Sequence, residues 1–321
     1  MPDWVLEHGI GERRMALVDR GEILEARIEV EGTVPPGTIL AARLRNVGAN
    51  GRNALAEADD GSQYLLPAGA PGTTQGGTLT IEVTRGPIPG PEPWKLPLAR
   101  ATDQLPATVQ SSGEREVRTL HLPAPRDELA EAGWDELLEQ ARSGTVQFRG
   151  GELHIFVTPA MTLIDVDGYL SASELALAGA SEAARAIRRL DIGGSIGVDL
   201  PTVASKATRQ AAGEAIDEIL PRPFERTSVN GFGFVQIIRP RRRASLVELA
   251  HERNMFEVRA LLRRAAFERA GSKTIVAHPA IVRTLEQRPD WLESLSRQLG
   301  GRARLRADAS ISISGGYAEV V

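Results

Sequence analysis

Two short apolar runs in this chain end in carboxylates. The first is Thr162-Leu163-Ile164-Asp165-Val166-Asp167, and the second is Ser195-Ile196-Gly197-Val198-Asp199-Leu200. A stretch with helical periodicity, 173–190, lies between them and ends at Gly193-Gly194. Strand, helix, strand is the βαβ unit, whose two strands run parallel. Ligands of such sheets bind beyond the carboxyl ends of the strands. If the strands are neighbours, Asp165 and Asp199 stand side by side within ~5 Å, the ordinary strand spacing. Carboxylates that close repel unless one holds a proton or a cation lies between them. A hard divalent ion is the natural counter-charge: Mg²⁺ first, with Mn²⁺ as the alternative. Asp167, at i+2, shares the face of Asp165 and is a third candidate, direct or through water. The bland alternative is that each aspartate caps a turn; two strands of one unit ending alike favour the metal.

Basic residues supply the complementary chemistry. Arg239-Pro240-Arg241-Arg242-Arg243 follows a third apolar run, 233–238, that can join the same sheet. Arginine forks hold phosphate oxygens in pairs. A basic run beside a Mg²⁺ site suits a phosphodiester, so Arg239, Arg241 and Arg242 are candidate polyanion contacts. Lys206 and Arg209, at the start of the helix after Asp199, are expected to face that edge too. A solvated loop is the commoner fate of charge runs. The five histidines, His8, His121, His154, His251 and His278, show no metal-ligand spacing and read as structural or surface groups. No Gly-Lys-Ser/Thr follows Gly193-Gly194, so no P-loop is present. The chain has no cysteine, which removes disulfides, thiolate zinc sites and cysteine catalysis.

The elements that must position these groups are legible in outline. With 321 residues, 42% hydrophobic, the chain can build several small cores, and a net charge of −4 excludes a generally basic polyanion binder. No apolar stretch nears the ~20 residues a membrane helix needs, and no signal peptide is visible, so a soluble cytoplasmic protein is expected. Residues 1–35 read as three short strands and 36–86 as a small antiparallel barrel of four or more. Pro87, Pro89, Pro91, Pro93 and Pro97 mark 87–112 as a linker. Residues 113–158 hold a possible strand, a helix from Asp127 to about Arg142, and a hairpin turning at Gly150-Gly151. The core, 159–255, then adds a helix over 202–220 and the third strand. A long or interrupted helix over 245–269 leads into a small α+β unit, 256–321.

At this point the residues resemble a known family. Leu163-Ile164-Asp165-Val166-Asp167, the helix end Arg189-Leu190-Asp191-Ile192-Gly193-Gly194 and Ile196-Gly197-Val198-Asp199 are similar to the catalytic core of the RNase E/G endoribonucleases. Phe232-Gly233 through Arg239, Arg241 and Ser245-Leu246 is similar to that family's Phe-Gly…Arg-x-Arg…Ser-Leu segment. The resemblance implies an α/β, multidomain fold. It comprises an RNase H-like N-terminal part, an inserted OB-type barrel, a nuclease-core mixed sheet and a small C-terminal α+β domain. It implies Mg²⁺ held by Asp165 and Asp199, Asp167 where the family has a supporting asparagine, and cleavage of single-stranded RNA to 5′-phosphate and 3′-hydroxyl products. The chain departs from the family in several places. The Cys-Pro-x-Cys zinc link is missing, so no zinc-linked dimer is expected and the chain should be a monomer or weak homo-oligomer. The segment that senses the RNA 5′ end is almost wholly absent. Glu57 and Leu65 stand where the barrel has RNA-stacking phenylalanines, and Thr202 where an acidic residue follows Asp199. An RNA-binding scaffold that lost the chemistry is the alternative.

Overall fold

A computed structural model describes residues 2–90, 95–108, 117–122, 124 and 126–320. Pro91, Pro93 and part of the stretch expected to form a strand around Glu116 lie outside the described residues. The chain divides into two compact units. One comprises 1–31, 116–142 and 249–321; the other comprises 32–115 and 143–248.

The first unit holds the chain's two ends. Strands Asp3–His8, Glu12–Asp19 and Glu22–Val30 form an antiparallel meander, and Val117–Leu120 adds in parallel beside Asp3–His8. The expected helix after Asp127 is broken into Glu128–Glu131 and Trp134–Ser143, because Gly133 sits at φ 96° between them. The long helix expected near 245–269 is likewise interrupted, into Leu246–Leu249 and Arg253–Ala266. Val258, Leu261, Leu262 and Ala265 of the second piece pack with Ile275, Ile281, Leu285, Trp291 and Leu295 of the C-terminal α+β layer. Charges are buried in this unit as a closed set. Arg14 donates to Glu7 and Glu12 at 2.6 Å each, and Arg263 donates to Glu7 at 3.0 Å and to Asp127 at 2.9 Å.

In the second unit the barrel closes with five strands: Ile39–Asn46, Ala54–Ala58, Gln63–Leu66, Leu98–Thr102 and Thr78–Arg85. The stretch read as a proline linker therefore contributes the closing strand. Pro87, Pro89, Pro91, Pro93 and Pro97 precede Leu98 and Pro106 follows Thr102, so no proline interrupts the strand, and the Pro97 carbonyl accepts from Leu65 at 2.9 Å as the chain enters the sheet. The barrel core is Leu44, Tyr64, Leu66, Ile81 and Val83 with four small alanines.

The remaining sheet has six strands in the order Thr145–Phe148, Gly151–Val157, Thr162–Gly168, Gly194–Asp199, Phe234–Arg239, Glu225–Arg226. Only the pair Thr162–Gly168 and Gly194–Asp199 is parallel; every other pairing is antiparallel. The helix Ala172–Arg189 joins these two strands, as the βαβ reading requires. Ser171 and Glu174 cap it reciprocally, and Leu175, Ala176, Gly179, Ala180, Ala183, Ala184 and Ile187 form its buried stripe. Gly179 allows the close approach to the sheet, since a Cβ there would fall 2.4 Å from Val166. With the helix Lys206–Ile219 packed beside it, this layer covers one face of the sheet. Leu153, Ile155, Ile164, Val166, Ile196, Val198, Val235 and Ile237 are the strand residues that point inward. The residues alternating with them point to the other face.

Candidate active site

That other face carries the carboxylates. Because strand side chains alternate, burying Ile164 and Val198 turns Asp165 and Asp199 outward together. The two aspartates are register partners on the two parallel strands. Asp165 is half-buried and Asp199 exposed. Among the described residues neither has a hydrogen-bonding or ion-pairing partner. The electrostatics follow: partial burial first, and then the Asp165 charge, push the Asp199 carboxyl above the ordinary aspartate range.

Continuing the row, Asp165 is level with His154 on one side, and Asp199 is level with Phe234 on the other. The row beyond pairs Glu152 with Asp167. Asp167 is exposed, on the expected face, and 4.0 Å from His154 Nε2; Glu152 is 3.3 Å from the same nitrogen. Asp167 thus shares the face with the aspartate pair but sits one residue pair further out. Sequence reasoning passed over His154, because a lone histidine between apolar residues carries no signal until the register sets it opposite Asp165.

The residues present suit a Mg²⁺ ion. Two carboxylates without internal partners, one of them resisting ionisation, are a hard oxygen donor set. Mg²⁺ commonly takes one or two carboxylates and fills its remaining positions with water and substrate phosphate. No group of three or more His, Cys, Asp or Glu among the described residues is arranged to hold a metal. The ion would therefore rest on these two side chains.

The basic residues are distributed differently from the sequence expectation. Phe234–Arg239 runs antiparallel to Gly194–Asp199, so Phe234 is level with Asp199 and Arg239 with Gly194. The arginine run thus does not border the aspartates: five residues of strand put Arg239 about 16 Å away. Its guanidinium groups are also engaged there. Arg239 donates to Asp191 at 3.3 Å and to the Ile192 carbonyl at 2.9 Å, and Arg243 donates to Asp191 at 3.1 Å. Arg241 pairs with Glu248. Arg242 is exposed, and its carbonyl accepts from the Gly86 amide at 2.9 Å. Asp191, held at φ 52° after the helix, is the hub that fixes this end of the sheet.

At the aspartate end, Lys206 is exposed at the first position of its helix. Arg209 donates to the carbonyls of Val203 at 2.7 Å and Ala204 at 2.9 Å, which shapes the loop that follows Asp199. Thr202 Oγ1 donates to the Phe232 carbonyl at 2.9 Å, tying that loop to the turn before Phe234. In the barrel, Glu57 accepts from Arg45 at 2.6 Å, and this bond holds its carboxyl below the usual range. Leu65 is half-buried.

Residues 99–242 match the family model described as Ribonuclease E/G family, a span of just under half the chain that includes both strand-end aspartates. No curated protein matches the chain.

Proposed function

Residues 99–242 match the Ribonuclease E/G family model, and from that match we propose that this chain is an RNase E/G-type, Mg²⁺-dependent endoribonuclease acting on single-stranded RNA. Its products would carry a 5′-phosphate and a 3′-hydroxyl. The family supports a ribonuclease acting on RNA. The observation that carries the metal-dependent reading is the side-by-side placement of Asp165 and Asp199, neither with a partner among the described residues, on the sheet face opposite the helices.

Asp165 and Asp199 would hold the ion between them. When bound, Mg²⁺ supplies charge stabilisation at the phosphoryl oxygen and a more acidic water for in-line attack. Asp167, on the same face, would accept hydrogen bonds from that water shell. Lys206, exposed next to the loop after Asp199, would meet a flanking phosphate. Arg242, with Arg239 and Arg241, would contact the backbone only of RNA long enough to reach the far end of the sheet, and Arg209 would act through the loop carbonyls it holds. A short end-labelled unpaired RNA incubated with Mg²⁺, and in parallel with EDTA, tests the reading. Internal cleavage that requires Mg²⁺ and falls on the order of 10²–10³-fold in Asp199→Asn is the expected result; uncut RNA with the wild-type protein overturns it.

One observation favours a second reading, an RNA-binding scaffold without chemistry. The ion-paired Glu57 and aliphatic Leu65 offer no aromatic surface on the barrel. Tight RNA binding with no Mg²⁺-dependent cleavage would select it. No helix among the described residues is long and apolar enough to cross a membrane.

A further inference from the structure

The face that carries Asp165 and Asp199 also carries aromatic side chains. The chain has only seven phenylalanines. Phe156 on this face is 53% exposed, and Phe232, in the turn that leads into Phe234 at the aspartate end, is 80% exposed. A third, Phe234, is half-buried in an unusual way. A Cβ on Gly197 would lie 2.5 Å from the Phe234 ring, and 3.1 Å from the sulfur of Met161. Glycine at 197 therefore leaves a seat in which the ring lies across the strand.

The register shows what this seat adjoins. Gly197 is level with Leu163, and Leu163 with Phe156. An apolar strip of Phe156, Leu163 and the Phe234 ring thus runs one residue pair, ~7 Å, from the carboxylates. Phe232 stands at the aspartate end. Its amide donates to Asn230 Oδ1 at 2.9 Å, and Asn230 Oδ1 also accepts from the Phe234 amide at 3.1 Å. The turn is fixed while the Phe232 ring stays in solvent.

A solitary exposed phenylalanine needs no explanation, but two exposed rings and a half-buried third gathered about one end of a sheet face do. Aromatic rings on an open sheet are a recurring platform for unpaired bases, whose faces stack regardless of sequence. Three features of the molecule favour bases over another occupant. The strip is continuous with the candidate phosphodiester site. All three phenylalanines fall within the ribonuclease family match. Among the described residues the barrel offers no exposed aromatic side chain, since Tyr64 is buried and Glu57 is ion-paired. We infer that Phe156, Phe232 and Phe234 form a stacking platform for unpaired nucleobases flanking the phosphodiester at Asp165 and Asp199. This rests on the RNA reading above and deepens it, because duplex RNA keeps its bases stacked inside and offers them no contact here.

The test is affinity for a short labelled unpaired oligoribonucleotide, by fluorescence anisotropy with Mg²⁺, in an Asp199→Asn background so that RNA is not consumed. Phe156→Ser and Phe232→Ala alter exposed rings and should leave folding intact. Each is expected to weaken binding roughly 5- to 150-fold, with tyrosine restoring it. Phe234→Leu keeps the seat over Gly197 filled but removes the π-face, and should weaken binding at unchanged thermal stability. Photocrosslinking with 5-iodouridine in the same oligonucleotide should map to these three positions. Parental affinity in all three variants overturns the platform while leaving the ribonuclease reading standing. A parent that binds no RNA overturns both.

Discussion

Two of the places where the molecule gathers charged side chains treat them in opposite ways. In the first unit Glu7, Arg14, Arg259 and Arg263 are almost wholly buried, and each stands against an opposite charge. Burial alone would lower the Arg263 pKa, yet Glu7 and Asp127 raise it overall, so the group is held charged inside the protein. At the aspartate edge two like charges are register partners, no described residue pairs with either, and the helices pack on the other side of the sheet. The first arrangement serves the fold, because a charge taken from water must be paired. The second gives the fold no ion pair and leaves its two carboxylates open to a proton or a cation from outside. A paired cluster and an unpaired one are therefore different kinds of evidence, although each is simply a group of acidic residues in the sequence.

The comparison breaks most sharply at Arg263. Arg263→Ala leaves Glu7 buried with one partner fewer and Asp127 with none of its arginine bonds. Removing one member of a buried ionic network costs about 3–5 kcal/mol. Urea denaturation should show that loss, and a variant within about 0.5 kcal/mol of wild type would mean the network is not structural. Asp199→Asn should do the reverse. Cleavage should fall on the order of 10²–10³-fold, the several kcal/mol that a metal site contributes, with unfolding stability nearly unchanged. An equal loss of stability in Asp199→Asn would place the aspartate edge with the structural clusters.

How much of this was legible beforehand depends on the kind of residue. The aspartate strands were, because each is a short apolar run closed by turn residues, and the helix between them carries its own capping box at Ser171 and Glu174. Strand direction was not legible. After the helix Lys206–Ile219 the chain returns through the two-residue strand Glu225–Arg226, so Phe234–Arg239 enters the sheet reversed and carries the arginines to the wrong end. The same reversal brings Phe234 level with Asp199, which no spacing in the sequence announces. The strand Leu98–Thr102 was masked by the prolines ahead of it. His154 and Gly197 looked like ordinary strand positions, because their meaning lies in their cross-strand neighbours.

A change at Gly197 sharpens the contrast from the side of packing. Gly197→Val forces the Phe234 ring from its seat, since even a Cβ would come within 2.5 Å of it. Overpacking of this kind costs about 1–3 kcal/mol. RNA affinity should fall with it, to the level of Phe234→Leu, and stability and anisotropy measured on one preparation check both. Lost stability with full affinity would show the ring to be packing alone.

The smallest expected effect concerns the pair itself. The Asp199 carboxyl lies above its ordinary value, through partial burial and then the Asp165 charge. A carboxyl whose folded value is raised binds its proton more tightly folded than unfolded. Its contribution to stability is therefore full below the unfolded value, about 3.9, and is lost as pH rises through the raised folded value. Asp165→Asn removes the second cause, so Asp199 should titrate lower, and the loss of stability on the neutral side of that window should shrink. Asp199 is exposed, so the gain at pH 7 should stay below ~1 kcal/mol, the range of solvent-screened pairs. Mg²⁺ should stabilise the wild type and not the variant, because the wild type alone has both ligands to offer. Carbon-detected NMR titration of the Asp199 carboxyl reads the coupling directly. If its midpoint stays in place when Asp165 is neutral, burial alone sets it, and the two carboxylates do not act as one site.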